Sequence, residues 1–362
     1  MNKYDYTGKT IFVGLDVHKK TYNVVALLDG ELIKRDRISA CPEVLVAYLK
    51  KFFAGATIFS AYEAGFSGFV LHRFLLDNDI ENIVVHPAAI EISSRDRVKT
   101  DKRDALKIAT QLSVGRLKCI PIPSPEREDY REVTRFRDSL VRDRSKIANQ
   151  IKSIAHRYGQ IAPNDSSVVS AKWLKKLMTD SSLNQNAKLR IEYLIEEWHK
   201  KTSKIKDVNA KIKEQAEIDS EIEEVYRSAP GIGPVAARIL ANELEDMSLF
   251  SSERALFSYT GFTPCEYSSG EHKRQGHISR QGKPILRKIL VQSAWIAIRY
   301  DRDLFEIYTR ICKKSGAKIA IVAIARRLIG RIRACFRNKC LYRPYSKPVK
   351  NTPLKKSLKL TA

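Results

Sequence analysis

Alternating apolar and polar runs over the first 120 residues predict a mixed β-sheet with helices on its faces. The runs "KTIFVGLDVH", "TYNVVALLDG" and "ELIKRDRIS" are rich in β-branched residues and are separated by short polar turns, which is typical of strands in hairpin series. Helical spacing follows in "PEVLVAYLKKF", and strand-like and helical segments then alternate as far as Gly115. The order β-β-β-α-β-α-β-α predicts an α/β domain over residues 1–120.

A Pro-rich segment, "CIPIPSPERED", marks a boundary near residue 120, beyond which the pattern becomes helical. Residues 121–228 predict a helical, coiled-coil-like connector. Its apolar seam repeats every seven residues, at Ile191, Trp198, Ile205 and Ile212. Such a seam fits a helical hairpin within one chain and a dimerisation arm equally well.

The last third of the chain is helical in pattern and strongly basic. Residues 229–336 predict a mainly α-helical C-terminal domain, and residues 337–362 predict a basic tail. From residue 229 onward the chain holds 26 basic and 9 acidic side chains, within a net charge of +24. Such an excess indicates nucleic acid or an anionic membrane surface as a partner, and its concentration in one region exceeds that of an ordinary solvated face.

The sequence also indicates the cellular compartment in which the protein is expected. The segment "MNKYDYTGKT" has no apolar signal-peptide core, and no run of about 18 apolar residues occurs anywhere. The six cysteines are scattered, and "CFRNKC" lacks the second ligand pair that a zinc site needs. We therefore expect a cytoplasmic protein with reduced cysteines and no membrane partner.

Four carboxylates of the first domain are spaced as in a metal-dependent nuclease. Asp16 lies inside the first predicted strand, Glu63 ends the fourth, and Asp101 and Asp104 share one face at the start of a helix. If the first and fourth strands are neighbours, the four groups meet near the strand ends. Mg²⁺ ions would relieve their mutual repulsion and would serve phosphodiester chemistry.

Each of these acids alone also has a purely structural explanation. Asp16 fits a turn at a strand end, Glu63 fits an exposed position, and Asp101 fits the electrostatic preference of a helix N-terminus. The set as a whole, in this order and in a basic protein, favours the metal-dependent site.

A Gly-hydrophobic-Gly turn opens the last domain, in "PGIGPVAARIL". In helix-hairpin-helix modules the N–H groups of such a turn, here around Gly231 and Gly233, bind a DNA phosphate at a helix N-terminus. A tight corner between two helices that needs a positive φ explains the same glycines. The motif is short, and the basic surroundings add weight to the first interpretation.

The stretch "EYSSGEHKRQGHISRQGKP" places Ser268 and Ser269 directly before Gly270, within a crowd of basic residues. A serine hydroxyl becomes a nucleophile when a base, a metal or a positive field stabilises its alkoxide. Composition alone favours a phosphate-binding loop with incidental serines, although the same cations could stabilise a phosphorane transition state. The basic residues around the serines are His272, Lys273, Arg274, His277, Arg280, Lys283, Arg287 and Lys288.

Several of these stretches together resemble the insertion-sequence transposases of family 110 (the 110/116/902 group). The stretches that carry the resemblance are "FVGLDVHKKTYNVVALLDG", "YEAG", "KTDKRDA", "APGIGPVAARILANEL" and "FSYTGFTPCEYSSGEHKRQGHISRQGKPILRKILVQSAW". The resemblance implies an RNase H-like (RuvC-like) DEDD domain, a helical connector and a serine-bearing transposase domain. It covers nearly the whole chain.

By position, the resemblance assigns the four acids to Asp16, Glu63, Asp101 and Asp104, as catalytic ligands of Mg²⁺. It assigns the nucleophile to Ser269, and Ser268 inherits the role if the alignment shifts by one. Contacts with nucleic acid are expected at Gly231, Gly233, Lys273, Arg274, Arg280, Lys283 and Arg287.

The function that the resemblance implies is excision and insertion of a mobile element by strand exchange, through a covalent phosphoserine. The expected partners are donor and target DNA, a structured guide RNA and further copies of the chain, as a dimer or tetramer. The alternatives are a RuvC-like endonuclease that hydrolyses DNA junctions through the carboxylates, and a non-catalytic nucleic-acid-binding scaffold.

Overall fold

The chain divides into two units, residues 1–123 and residues 124–362. The computed structural model describes residues 5–87, 90, 101–161, 169–179, 183–269 and 272–344, with the backbone alone at positions 101–102, 267–269 and 272–275. The division lies in the Pro-rich segment where the sequence predicts a boundary.

A five-stranded mixed sheet forms the centre of the first unit. Its strands are β1 (Thr10–Val17), β2 (Thr21–Leu28), β3 (Glu31–Ser39), β4 (Thr57–Glu63) and β5 (Glu81–Val85). They lie in the order β3-β2-β1-β4-β5, in which β1, β2 and β3 form antiparallel pairs and β4 is parallel to both β1 and β5. The mixed sheet and the neighbouring first and fourth strands confirm the prediction from the sequence.

Helices cover both faces of this sheet: α1 (Pro42–Phe52), α2 (Val70–Leu76) and α3 (Asp101–Ser113). Neighbouring residues of β2 belong to two different cores, because successive side chains of a strand point to opposite faces. Val24 packs into the core that includes Leu45 of α1 and Leu71 of α2, whereas Val25 packs against Ala105 of α3. The run of apolar residues in β2 is therefore explained by burial on both sides.

Two long helices, α4 (Pro125–Arg157) and α6 (Gln185–Ile218), run antiparallel in the second unit, with α5 (Ala171–Met178) between them in sequence. Nε of Arg137 donates to Asn209 at 2.6 Å, and Lys201 forms an ion pair with Asp143 at 2.9 Å. As the residue number rises along α4 it falls along α6, which fixes the antiparallel direction.

The heptad seam of α6 packs inside the chain. Ile191 belongs to a core with Ile151 of α4, and Ile205 and Ile212 belong to a second core with Leu140 of α4. Of the two interpretations that the sequence leaves open, the structure shows the helical hairpin within one chain, and the oligomeric state stays a prediction.

The remainder of the second unit is mainly helical, as predicted, around one large apolar core. Its helices are α7 (Ser220–Ser228), α8 (Pro234–Leu244), α9 (Glu253–Thr260), α10 (Pro284–Tyr300), α11 (Arg302–Ser315) and α12 (Ala317–Arg337). Between α9 and α10 lies an antiparallel hairpin of β6 (Pro264–Ser269) and β7 (His272–Ile278). Among the helices that the structure describes, none combines the length and the apolar character needed to cross a membrane.

Candidate functional site

Asp16 lies near the carboxyl end of β1, and two neighbours orient its side chain. Nε2 of His18 lies 2.9 Å from Oδ2 of Asp16, and Nδ2 of Asn23, which is opposite Asp16 in β2, donates to the same oxygen at 3.3 Å. The side chain is 19 % exposed. The carboxylate is therefore held in a fixed direction and is still reached by solvent.

Glu63 is the last residue of β4, beside the end of β1. The parallel register pairs Leu15 with Tyr62, so Asp16 and Glu63 are the next residues of their strands. Glu63 is exposed. The parallel pairing predicted from the sequence therefore brings these two carboxylates to the same end of the sheet.

The start of α3 meets the sheet on the face to which Asp16 belongs. Gly14 lies two residues before Asp16 on that face, and a Cβ added to Gly14 would collide with the carbonyl oxygen of Ala105 and lie 2.5 Å from the amide nitrogen of Ala109. Asp104 immediately precedes Ala105, and its Oδ1 lies 3.6 Å from Nζ of Lys107. Because residue 14 is glycine, the helix that begins with the two predicted aspartates lies directly on β1.

The side chain of Asp101 lies outside the described residues, so the predicted set of four is described for Asp16, Glu63 and Asp104. Among the side chains that the structure describes, no group of three or more His, Cys, Asp or Glu is arranged to hold a metal. The three described carboxylates are hard oxygen donors of the kind that Mg²⁺ prefers; Asp16 and Glu63 share one sheet end, and Asp104 belongs to the helix that packs on β1. The metal site stays a prediction.

Ser268 and Ser269 occupy the last two positions of β6. In the register of the hairpin Ser269 is opposite His272 and Ser268 is opposite Lys273. The side chains of both serines, and those of Lys273 and Arg274, lie outside the described residues. The composition predicts a loop here, whereas the structure has two paired strands, because backbone hydrogen bonds form this hairpin without any alternation of apolar residues.

The end of the hairpin that joins the helices is fixed by backbone contacts. The amide of Ser279 donates to Thr263 at 2.7 Å, and Nη1 of Arg287 donates to the carbonyls of Thr260 and Gly282 at 3.1 and 2.7 Å. A Cβ on Gly282 would collide with the carbonyl oxygen of Tyr259. Arg287, which the sequence assigns to nucleic acid, thus bridges α9 and α10.

Lys283 follows this segment and pairs with a buried carboxylate, that of Glu243 in α8. Glu243 also accepts from Arg135 of α4, at 3.0 and 3.3 Å, and its side chain is 1 % exposed. Burial raises the pKa of Glu243, but Lys283 and Arg135 outweigh burial and hold the pKa below its ordinary value. This cluster, named here the Glu243 clamp (Arg135, Glu243 and Lys283), joins α4, α8 and the start of α10.

A second buried network, around Asp219, joins the start of α4 to α8. Arg238, whose side chain is 0 % exposed, and Arg127 each donate to Oδ2 of Asp219 at 2.5 Å. Burial raises the pKa of Asp219, but the hydrogen bonds from these two arginines outweigh burial and lower the pKa. Neither network was predicted. An acid in the largely apolar "ARILANEL", which also holds Arg238 and Asn242, was the signal available for Glu243.

The two glycines of the Gly-Ile-Gly turn differ in their surroundings. Gly231 has φ +83°, and a Cβ there would lie 2.6 Å from the carbonyl oxygen of Ser293 in α10. Gly233 precedes α8 with φ −83°, and a Cβ there would meet nothing within 4 Å. Close packing against α10 therefore accounts for Gly231, whereas the fold imposes no such need at Gly233.

Of the other predicted contacts, Arg280 is exposed on the segment between β7 and α10; His277, one of the basic residues around the serines, is exposed within β7. Arg280 has φ +57°, and its amide donates to the carbonyl of Gly261 at 3.4 Å. Lys283 and Arg287 are engaged in the contacts described above. Binding of nucleic acid by these residues stays a prediction.

Comparison with known proteins matches both parts of the chain. Residues 13–159 match the DEDD transposase family of IS110, and residues 223–310 match the family described as "Transposase IS116/IS110/IS902 family". The first range includes the four predicted acids, and the second includes the glycine turn and both serines.

Individual relatives agree with these matches. "Putative transposase y4qE" of Sinorhizobium fredii is 30 % identical over 292 residues, which cover 78 % of this chain and 71 % of the relative. The transposase for insertion sequence element IS1533 of Leptospira borgpetersenii is 28 % identical, over 91 % of this chain and 96 % of the relative. The chain belongs to the IS110/IS116/IS902 family of insertion-sequence transposases, enzymes that recombine DNA.

Proposed function

We propose that this transposase excises and inserts its element by strand exchange through a covalent phosphoserine on Ser269. The observation that carries the proposal is the pair of serines at the end of β6, facing a β7 of sequence "HKRQGHI", in a hairpin whose base is held by the Glu243 clamp. The hairpin lies within the range that matches the family. A hairpin anchored in this way helps to position the nucleophile, and position matters because a displacement of about 1 Å lowers the rate by a large factor.

The chemistry balances in two displacements. In the first, Oγ of Ser269 forms a bond to phosphorus, the bond from phosphorus to the leaving DNA oxygen breaks, one proton leaves Oγ and one is taken up by the leaving hydroxyl. In the second, a DNA hydroxyl attacks the phosphoserine, restores the serine and joins the exchanged strands. Each step exchanges one phosphoester for another, so no external energy source is required.

Electrostatic stabilisation comes from the basic residues around the hairpin. The pentacoordinate transition state carries more negative charge than the phosphodiester, and cations fixed in advance lower its free energy. The absence of any acid between Glu271 and Asp301 in the sequence supports this role for Lys273, Arg274 and Arg280.

Asp16, Glu63, Asp101 and Asp104 would hold Mg²⁺ at the end of the sheet. When bound, Mg²⁺ supplies positive charge at the entering and leaving oxygens of a phosphodiester. His18 and Asn23 orient the Asp16 carboxylate, and the glycine at position 14 lets α3 bring Asp104 onto the same face.

We also propose that a structured RNA selects the DNA by base pairing and that the chain acts as a dimer or tetramer. In such a system the protein binds the sugar-phosphate backbones, and base pairing by the RNA selects the DNA sequence. The net charge of +24, concentrated after residue 229, supports the binding of several strands at once.

A trapping experiment tests the nucleophile. The chain is incubated with Mg²⁺, RNA transcribed from the DNA beside its reading frame, and a nicked duplex of the element end whose leaving strand diffuses away. We expect a protein–DNA adduct that survives denaturing gels, with phosphate on Ser269 by mass spectrometry. Ser269→Ala should abolish the adduct, and Ser268→Ala should retain it.

Two outcomes would overturn the proposal. An adduct that persists in Ser269→Ala but disappears in Ser268→Ala moves the nucleophile by one residue. Strand cleavage without an adduct, retained in Ser269→Ala and lost in Asp16→Ala, identifies a hydrolytic endonuclease. Equal adduct formation with and without the transcript would contradict the guide RNA.

A further inference from the structure

We infer that a groove along α4, flanked by the start of α10, binds the sugar-phosphate backbone of duplex DNA. Two adjoining concavities of about 660 Å³ and about 360 Å³ form the groove. Arg142 lines both concavities, which makes them neighbours on the surface. We call this surface the α4 groove.

The α4 groove follows one face of a helix that packs with its other face. Arg135, Arg142, Asn149 and Ser153 line the groove and recur at multiples of three to four residues, so they share one face of α4. The residues of α4 that are buried against α6, such as Ile151, lie on the opposite side of the helix. The groove-lining face of α4 is therefore available to a partner.

The charged residues that line the larger concavity are all basic. Arg142, Lys146 and Lys288 line it, and none of the residues that line it is acidic. All three are exposed, and α4 has no acid from residue 144 to its end. A concave surface lined by a single sign of charge concentrates a polyanion, which identifies the partner as a phosphate backbone.

Uncharged donors complete the lining. Ser145, Asn149, Gln150 and Ser153 lie between and beyond the cations. Hydroxyl and amide groups of this kind, together with Lys and Arg, are those that contact phosphate and sugar oxygens in protein–DNA complexes. Such contacts position a duplex without reading its sequence.

One acid, Asp138, holds two of the cations in place where the two concavities meet. Its carboxylate lies 3.1 Å from Nε of Arg142 and 3.7 Å from Nζ of Lys288. A single carboxylate between two cations leaves a net positive charge and holds a residue of α4 beside one of α10.

The α4 groove includes the start of α10, which follows the serine hairpin in the chain. From Arg135 to Ser153 the helix rises about 27 Å, the length of roughly eight base pairs of duplex. The smaller concavity ends at Lys283, which follows the hairpin in the chain. The choice of DNA over RNA rests on the proposed function, because the serine that attacks DNA is on the hairpin that Lys283 follows in the chain.

A binding experiment on a chain with Ser269→Ala tests the groove without any chemistry. The affinity for a 30-base-pair duplex DNA is measured by fluorescence anisotropy over a range of salt concentrations. Arg142→Gln, Lys146→Gln and Lys288→Gln together should weaken binding by about 10- to 100-fold near 0.1 M salt and lower the slope of log K against log salt by about 2 to 3. Lys146→Gln alone, which leaves Asp138 paired, should lower the slope by about 1.

The matched control removes the same charge elsewhere. Lys172, Lys175 and Lys176 of α5 are exposed and lie outside the α4 groove, so their change to Gln should alter the slope by less than the groove variants. Equal effects of the two triple variants on DNA binding would overturn the inference, as would loss of binding to duplex RNA with duplex DNA unaffected. Failure of the trapping experiment with an intact groove effect would refute the phosphoserine but not the groove.

Discussion

Lys283 forms an ion pair with Glu243, which ties the residue after the serine hairpin to a carboxylate buried within α8. The same carboxylate accepts two hydrogen bonds from Arg135 of α4. Removing one member of a buried ion pair leaves the other charge without compensation, which is costly. The first two predictions test this clamp.

Glu243→Gln should lower the free energy of unfolding by about 2 to 3 kcal/mol, less than a fully buried pair would lose because Arg135 and Lys283 are partly exposed. Urea denaturation measures the loss. Glu197→Gln, which breaks the contact of an exposed carboxylate with Lys200 at 3.2 Å, is the control and should cost much less than Glu243→Gln, because solvent screens this pair. Equal losses would show that the clamp stabilises the fold no more than an exposed ion pair does.

The acid dependence of stability should change in Glu243→Gln. The pKa of Glu243 is below its ordinary value in the folded chain, so its contribution is present above the ordinary carboxyl pKa of about 4.3 and is lost as the pH falls through the folded pKa. Urea denaturation at several pH values should show the difference between wild type and variant shrinking below about pH 4. A difference that grows on acidification would contradict the assigned direction.

Gly14→Ala should displace α3, and with it Asp104, although the substitution changes none of the predicted acids themselves. The added Cβ meets the backbone of Ala105, which cannot move without the helix, so a loss of about 1 to 3 kcal/mol and a large fall in recombination are expected. Gly65→Ala is the control for stability, since its Cβ would have only an ordinary contact at 3.8 Å. Unchanged unfolding and activity in Gly14→Ala would refute the close contact.

The two glycines of the Gly-Ile-Gly turn should separate packing from DNA binding. Gly231→Ala requires a positive φ and meets Ser293, so it should reduce the melting temperature. Gly233→Ala should leave the melting temperature near that of the wild type and weaken binding of duplex DNA, because the added Cβ, which projects into open space, would obstruct the approach of a phosphate to the N–H groups of the turn. Unchanged DNA affinity in Gly233→Ala, measured by anisotropy, would remove the phosphate contact from that residue.

Much of the first unit could be predicted from the sequence, because local patterns of residues specify the order of its strands and helices. β-branched runs, the turn at Asp29 and Gly30 and the helical spacing of α1 give the series of elements. The helix α1 between β3 and β4 allows a crossover that places β4 parallel to β1 and beside it, which brings Asp16 and Glu63 together.

The hairpin and the clamp could not be predicted in this way. The sequence of β6 and β7 lacks apolar alternation, and contacts with α9 and α10 fix the base of the hairpin. Glu243 lies 40 residues from Lys283 and 108 from Arg135, so its burial becomes intelligible only when the three helices are packed. A carboxylate in a largely apolar helix indicates that a cationic partner exists, but the sequence does not show which residue that partner is.

The antiparallel pairing of α4 and α6 has a consequence for how the chain tolerates change. Each helix is about 50 Å long, and the pair returns the chain to α8 beside the residues from which it left. Insertions or deletions between the end of α4 and the start of α6, at the end of the pair away from α8, would leave the register of the helices near α8 intact. That end is therefore a suitable place for an inserted tag or a fluorescent reporter.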